Sequence, residues 1–283
     1  MSPIIIRGHF APKVNLLSHT VPTAVWADKD PWGNQEMHDW GRAVELYREG
    51  GGYDDTRDMY PSSASDVFEF AGRKCYDAYG RKNAATAANE DYIANIIRQN
   101  HWSVLEHASY TFLIENVSRA MTHELVRHRH FSFSQESQRY VKQDPEVADV
   151  VISPTIASEL DDTERDMIER GMDHALTTPF RVGFQTYQDI YKRLRKSGKT
   201  HKEAAGAARQ YLPEATATGI VVTGNPRSLA EFITKRSAPS ADAEIRAVSD
   251  AIADIMAIVL PEVFGTEARA LWDINSEQKG TKK

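Results

Sequence analysis

The stretch from Glu124 to Tyr140 reads Glu-Leu-Val-Arg-His-Arg-His-Phe-Ser-Phe-Ser-Gln-Glu-Ser-Gln-Arg-Tyr, and no packed core can absorb it. Arg127, Arg129 and Arg139 place three permanent cations close together in a chain whose formal net charge is −6. Cations gather that tightly when an anion offsets their repulsion. The planar fork of arginine suits phosphate, carboxylate and the edge of a planar ring. The stretch therefore surfaces either as a pocket for a phosphorylated, ring-containing small molecule or as the solvated basic end of a helix, which the helix dipole also favours. The residues before it determine how it leaves the core. Tyr110, Phe112 and Ile114 alternate with Thr111, Leu113 and Glu115, which predicts a strand over 108–116. Ser118 then caps a helix over 119–129, and Arg129–Arg139 leaves that helix as a functional loop. On the helix, His123, Glu124 and Arg127 share one stripe, and Met121, Leu125 and His128 share a more apolar one.

Elsewhere the periodicity is mixed. Residues 12–18 read as a short strand. Residues 27–64 are polar and Gly-containing, with a helix-like patch around Met37–Tyr47, and read as an excursion from a compact fold. Val67, Phe68, Ala71, Cys75 and Ala78 form an apolar helical stripe that predicts a buried, inert Cys75. A second helix over 87–99 turns Tyr92, Ile93, Ile96 and Ile97 inward. Met167–Lys196 reads as one long amphipathic helix bent near Pro179, and 200–211 as another with Arg209 in its last turn. Thr216–Thr223 is strand-like, Gly224-Asn225-Pro226 turns it into a helix through Arg236, and Asp242–Phe264 is the final amphipathic helix. The fold expected is α+β (mixed α/β), with a central, largely antiparallel sheet flanked by helices that include a long one. One domain spans 1–283, with 27–64 as a peripheral insertion and 267–283 as a mobile tail.

An apolar fraction of 41% and a charged fraction of 26% are those of an ordinary globular protein, which 283 residues suffice to build. The negative net charge argues against a general nucleic-acid surface. A single cysteine excludes an internal disulfide and a multi-thiolate zinc site, and fits a reducing cytoplasm. Ile4-Ile5-Ile6 runs straight into Arg7, so no secretory signal is expected, and no apolar run reaches membrane-spanning length.

Three motifs nearly match and fail. His123-Glu124-Leu125-Val126-Arg127 has Arg where a zinc-protease helix needs its second His. His128 lies roughly 140° round the helix from His123, and neighbouring arginines repel a metal cation. Ser197-Gly198-Lys199-Thr200 has the end of a phosphate-binding loop, but Arg193 stands where the first Gly belongs. Ser137 lacks the glycines of a nucleophile elbow and reads as a hydrogen-bonding residue.

Arg127-His128-Arg129, then seven residues, then Ser137 and Arg139, resembles the signature of the flavin-dependent thymidylate synthases. The resemblance runs from about Val67 to about Val263. It includes Glu69-Phe70-Ala71-Gly72-Arg73, Ser103-Val104-Leu105-Glu106-His107, Ala207-Ala208-Arg209 before Leu212-Pro213, Thr223-Gly224-Asn225-Pro226-Arg227, Phe232-Ile233 with Arg236, and Ala243-Glu244-Ile245-Arg246. It implies reductive methylation of dUMP to dTMP, with methylenetetrahydrofolate as carbon donor and NADPH-reduced FAD as hydride source. It also implies a homotetramer with shared sites. Ser103, Arg127, His128, Arg129, Gln135, Asn225, Arg227 and Glu231 would meet FAD, with Asn225 and Arg227 reaching it from another subunit. Glu124, Arg127, Gln135, Glu136, Ser137, Gln138, Arg139, Arg209 and Arg236 would hold dUMP. Arg236 would be catalytic, approaching the uracil at N3 to stabilise developing charge, with no cysteine nucleophile and no metal. Two features depart from the family: Glu231 stands where His or Asn is expected, and 27–64 is longer than the usual connection. A non-catalytic nucleotide-binding homologue and a His-based metallohydrolase are the alternative readings of the same residues.

Overall fold

The structure is a computed structural model that describes residues 4–21, 25–29, 35–39, 64–76, 84–141, 143–144 and 146–272, with backbone alone for 25–29, 35–39 and 84. Its strands are β1 (Ile5–His9), β2 (Lys13–His19), β3 (Val25–Lys29), β4 (Gln35–Asp39), β5 (Tyr110–Ser118), β6 (Ser132–Gln135), β7 (Val147–Val151) and β8 (Ala217–Gly224). They form a four-stranded sheet in the order β2-β5-β8-β6 and two pairs, β1-β7 and β3-β4. The chain is organised as two compact units. One comprises Met1–Leu17, Thr111–Thr223 and Lys235–Ala251; the other comprises Ser18–Tyr110, Gly224–Thr234 and Ile252–Lys283.

In the first unit, β1 and β7 pair in parallel, Ile5 opposite Val147 and His9 opposite Val151. This pair stands outside the four-stranded sheet and adds a parallel element to the largely antiparallel arrangement expected. Residue alternation reports which face is buried but not strand direction, and the long connection between β1 and β7 permits a parallel crossover. Ile4, Ile6, Ala148, Val150, Ile152, Ala157, Ile168 and Phe184 make a buried cluster there. A Cβ on Gly8 would collide with the buried Ile168 side chain, so the glycine lets the helix Asp162–Glu169 lie close against β1. β6 pairs antiparallel with β8, Ser132 opposite Thr223 and Gln135 opposite Ile220. The expected free loop over 129–139 therefore contains a strand. Phe131 and Phe133 against Ser132 and Ser134 carry the period of two that signals it.

The expected single helix over Met167–Lys196 is two helices, Asp162–Glu169 and Thr178–Lys196. The first begins in a capping box made by Asp161 and Glu164. It ends in a Schellman turn at Gly171, whose φ of 72° suits glycine, with Gly171 N–H donating to Ile168 O and Met172 N–H to Met167 O. Pro179 sits in the first turn of the second helix rather than at a bend.

In the second unit, the helix Ala64–Cys75 buries Ser65, Phe68, Glu69, Gly72 and Arg73. Cys75, expected to be buried, is exposed. Arg73 donates Nε–H to Glu69 Oε1 at 2.7 Å and Nη2–H to Thr86 O at 2.7 Å, while Asn89 Nδ2 donates to Glu69 Oε2 at 2.8 Å. That closed network lets two charged residues occupy the inner face and rotates the helix away from the stripe the apolar residues suggest. β3 and β4 form an antiparallel pair, so residues 37–39 of the helix-like patch are extended, while 40–47 lie outside the described residues. Residues 266–272 are helical, and the buried Trp272 donates Nε1–H to Val263 O at 3.0 Å. The expectation of a mobile tail thus applies only to 273–283, which lie outside the described residues.

Candidate functional site

The first unit builds its polar face from Ser118. Its hydroxyl accepts Met121 N–H at 2.9 Å and caps the helix Arg119–Leu125. Its own N–H and O–H donate to the two carboxylate oxygens of buried Glu244 at 2.6 and 2.7 Å. Burial raises the Glu244 carboxyl above its ordinary value, against the lowering effect of those two hydrogen bonds. The helix buries Met121, Thr122 and Leu125 and stops earlier than expected, at Leu125. Arg127 N–H and His128 N–H then bond to Glu124 O and Leu125 O in a tight final turn that turns both side chains off the helix.

Arg236, the last residue of the helix Pro226–Arg236, is held between two residues of this turn. Its Nη1 donates to Glu124 Oε2 at 2.6 Å and its Nε to His128 Nε2 at 3.0 Å. A nitrogen that accepts from an arginine carries no proton, so His128 is neutral with hydrogen on Nδ1. The Arg236 side chain is only 22% exposed, and no described residue accepts from its Nη2. Two protein contacts thus aim the fork and leave one edge open to a ligand.

β6 and the turn after it bring in the next group. Gln135 Nε2 donates to Thr122 Oγ1 at 2.8 Å, and Thr122 donates in turn to Arg119 O at 2.8 Å. Glu136 N–H reaches Gly219 O of β8, while Glu136 O accepts from Arg119 Nη1 at 3.2 Å. Ser137 O accepts both Tyr140 N–H and Val141 N–H at 2.9 Å, which closes the turn that carries Ser137, Gln138 and Arg139. Arg209 leaves the short 3-10 segment Arg209–Tyr211, just after the helix His201–Ala208. Burial, followed by the nearby charge of Arg209, lowers the Arg119 guanidinium pKa. Arg119 is a cation that sequence reasoning overlooked. Its signal was its place in the first turn of a helix, where the dipole disfavours positive charge. Among the described residues, no carboxylate forms an ion pair with Arg127, Arg129, Arg139 or Arg209, and all four are exposed.

The other expected cofactor residues lie in the second unit. Ser103 is exposed on the 3-10 segment Trp102–His107. Asn225 Oδ1 accepts Ser228 N–H at 2.8 Å at the head of the helix Pro226–Arg236, and Arg227 Nη1 donates to Glu106 Oε1 at 2.5 Å. Glu231 is exposed one turn further along. Within its own unit Asn225 therefore acts as a cap, while the Arg227–Glu106 pair is solvent-exposed and held weakly enough to exchange partners. No group of three His, Cys, Asp or Glu side chains among the described residues is placed to hold a metal.

Such a face, with arginines that have no carboxylate partner among the described residues beside a half-buried arginine aimed by a carboxylate and an imidazole, belongs to an enzyme that grips a small anionic substrate on a mixed α/β scaffold. Residues 59–262 match the family model described as thymidylate synthase complementing protein. A flavin-dependent thymidylate synthase of Mycobacteroides abscessus is 42% identical over 199 residues, covering 70% of this chain and 78% of that protein. That of Mycobacterium tuberculosis is 41% identical over 205 residues, covering 70% and 77%. The fold is shared with a UMP/dUMP methylase, PolB, from Streptomyces cacaoi solved with 5-Br UMP, at a TM-score of 0.60, 20% identity and coverage of 95% and 97%. It is also shared with thymidylate synthase X from Helicobacter pylori solved with FAD and dUMP, at 0.50, 20%, 75% and 93%. The chain belongs to the flavin-dependent thymidylate synthase family, and the non-catalytic alternative is not favoured. Its activity is the flavin-dependent methylation that makes thymidylate.

Proposed function

We propose that the chain uses FAD reduced by NADPH, with methylenetetrahydrofolate as the carbon donor, to methylate dUMP. We also propose that it acts in the cytoplasm as a homotetramer with shared sites, each chain a single catalytic domain with residues 27–64 peripheral to it. The observation that carries this reading is the set of exposed arginines 127, 129, 139 and 209, which lack a carboxylate partner among the described residues. Their counter-charge comes from ligand phosphate. The residues present fit FAD: exposed Arg127 and Arg129 offer cations for its diphosphate, and Gln135, at the end of β6, offers an amide held by Thr122. When bound, the flavin supplies the hydride.

The chain's own residues have separable roles in this reading. Ser137, Gln138, Arg139 and Arg209 hold the nucleotide phosphate and sugar, with Glu136 beside them, and Glu124 orients Arg236. Arg236, with Nη2 open, hydrogen-bonds the uracil edge and stabilises the charge that develops when C5 becomes nucleophilic. Ser103, His128, Asn225, Arg227 and Glu231 contribute to the flavin side. The family resemblance supports the shared sites, since Asn225 and Arg227 would serve a neighbouring subunit. No described helix is long and apolar enough to cross a membrane.

Two titrations test the division of labour. Arg139→Ala should weaken dUMP binding about tenfold or more while FAD occupancy stays as in wild type, because a charge-assisted contact to one ligand is lost. Arg129→Ala should do the reverse. Wild-type dUMP affinity in Arg139→Ala would remove the turn from the nucleotide site.

A further inference from the structure

The turn that carries half-buried Ser137 and Gln138 and exposed Arg139 is closed by hydrogen bonds within itself, Tyr140 N–H and Val141 N–H to Ser137 O and Arg139 N–H to Ser137 Oγ, and these leave its direction to be set by what packs against it. That support comes from the helix His201–Ala208. His201 Nε2 lies 3.1 Å from Tyr140 O, and its Nδ1 lies 2.9 Å from the Tyr191 hydroxyl. A carbonyl can only accept, so Nε2 carries the proton and Nδ1 of the neutral ring accepts from Tyr191. Tyr191 meets the His201 ring edge-on, with centroids 5.7 Å apart, and stacks on Tyr187 at 6.1 Å. Tyr187 is 1% exposed, so the chain of contacts is anchored in the core. The backbone of His201 is fixed as well. Thr200 and Glu203 form a capping box, with Glu203 N–H reaching Thr200 Oγ1 and Thr200 N–H reaching Glu203 Oε2 at 2.8 Å.

Two further contacts tie the same helix to the same turn. The Lys202 ammonium lies 5.0 Å over the Tyr140 ring, and its hydrogen bond to the phenol lowers the Tyr140 pKa. A Cβ on Gly206, one turn along from Lys202, would meet the Arg139 side chain at 3.5 Å, so the glycine leaves Arg139 room beside the helix. We infer that His201 is a positioning residue for the nucleotide turn, transmitting the rigidity of the Tyr187–Tyr191 stack to Ser137–Arg139 through the Tyr140 carbonyl. It touches neither substrate nor flavin; it restricts the directions from which Ser137 and Arg139 meet their ligand. The inference rests on the reading of 137–139 as nucleotide ligands. Its sequence signal is a histidine directly after a capping threonine, eight residues before the substrate arginine Arg209.

The test is amide hydrogen exchange on the full-length protein with and without dUMP, beside steady-state kinetics, for wild type, His201→Ala, His201→Gln and Tyr191→Phe. Without dUMP, His201→Ala should speed exchange at Tyr140 and Val141 about tenfold, the effect of losing one hydrogen bond, while β8 exchanges as in wild type. It should raise KM for dUMP about tenfold and leave kcat within about twofold. His201→Gln, which restores a donor at the same reach, should recover both. Tyr191→Phe should shift both in the same direction by a smaller factor. Unchanged exchange at Tyr140 and Val141 in His201→Ala and Tyr191→Phe overturns the positioning role, whatever dUMP does. If His201→Ala loosens the turn but dUMP protects none of residues 137–141 in wild type, the nucleotide reading fails and the positioning role stands. Should His201→Ala unfold, the Tyr191→Phe exchange at these two amides decides alone.

Discussion

Arg236 shows what packing adds to a charged side chain. An arginine near a helix end is commonly a surface cation, yet here Glu124 and His128 take two of its donors and hold it mostly buried. A transition-state contact depends on such orientation, because donors already aimed cost no reorganisation during reaction. Arg236→Ala should therefore lower turnover about a hundredfold or more with FAD content unchanged. Arg236→Lys should recover little, since one ammonium cannot reproduce the two-donor fork. Flavin oxidation in a single turnover, measured beside FAD occupancy, checks both, and near-wild-type oxidation in Arg236→Ala would remove the residue from the chemistry. Stability should change little, because the Glu124 left behind is 42% exposed and can be hydrated. Several of the candidate residues stood out in the sequence. Arg127, Arg129 and Arg139 were conspicuous as clustered cations in an acidic chain. Arg119 was not, because a lone cation in a first turn looks incidental until its neighbour Arg209 is known. His201 was missed for a similar reason: its partner is a backbone carbonyl, which leaves no trace in residue type.

Elements differ in how plainly they announce themselves. The strand at Tyr110–Ser118 and the Ser118 cap were legible because alternation and capping are local properties. The inner face of Ala64–Cys75 was not, because a Glu69–Arg73–Asn89 network makes burial of charge affordable and no local pattern reveals it. β6 was hidden by its polar side chains, since residues that suggest a ligand loop also lie along a strand. Two predictions belong at this scale. The Glu244 pKa is raised in the folded state, so the stability linked to its protonated form is complete below the ordinary value of 4.5 and is lost as pH rises through the raised one. Glu244→Gln lacks that loss, and its urea midpoint should gain on wild type as pH rises across the window; parallel curves would contradict this. Gly8→Ala should destabilise by about 1–3 kcal/mol, because a methyl group there forces buried Ile168 to move. Its denaturation midpoint is the check, and an unchanged midpoint would show that the helix Asp162–Glu169 can shift freely.

At the scale of the whole molecule, the family model begins at residue 59, leaving most of residues 27–64 outside the matched region. Their polarity and glycine content support the proposal that they are peripheral to chemistry. Replacing 28–60 with a short flexible linker should leave FAD binding and tetramer formation in place, as read by flavin absorbance and light scattering. A colourless or monomeric product would assign the segment to the core or to the subunit contact. Fold class was readable from the mixture of periods, but the separate parallel β1-β7 pair was not. The sole cysteine bears on the central claim, that flavin and oriented cations replace a protein nucleophile. Cys75 is exposed, so Cys75→Ala leaves no cavity and should change stability by no more than about 0.5 kcal/mol. The most direct measurement takes Cys75→Ala loaded with FAD, reduces it with NADPH, and mixes it with dUMP and methylenetetrahydrofolate in a single turnover. The account predicts that flavin is reoxidised in step with dTMP, in equal amounts and at the wild-type rate. A folded, FAD-loaded variant that makes no dTMP, or that makes it while the flavin stays reduced, would contradict it.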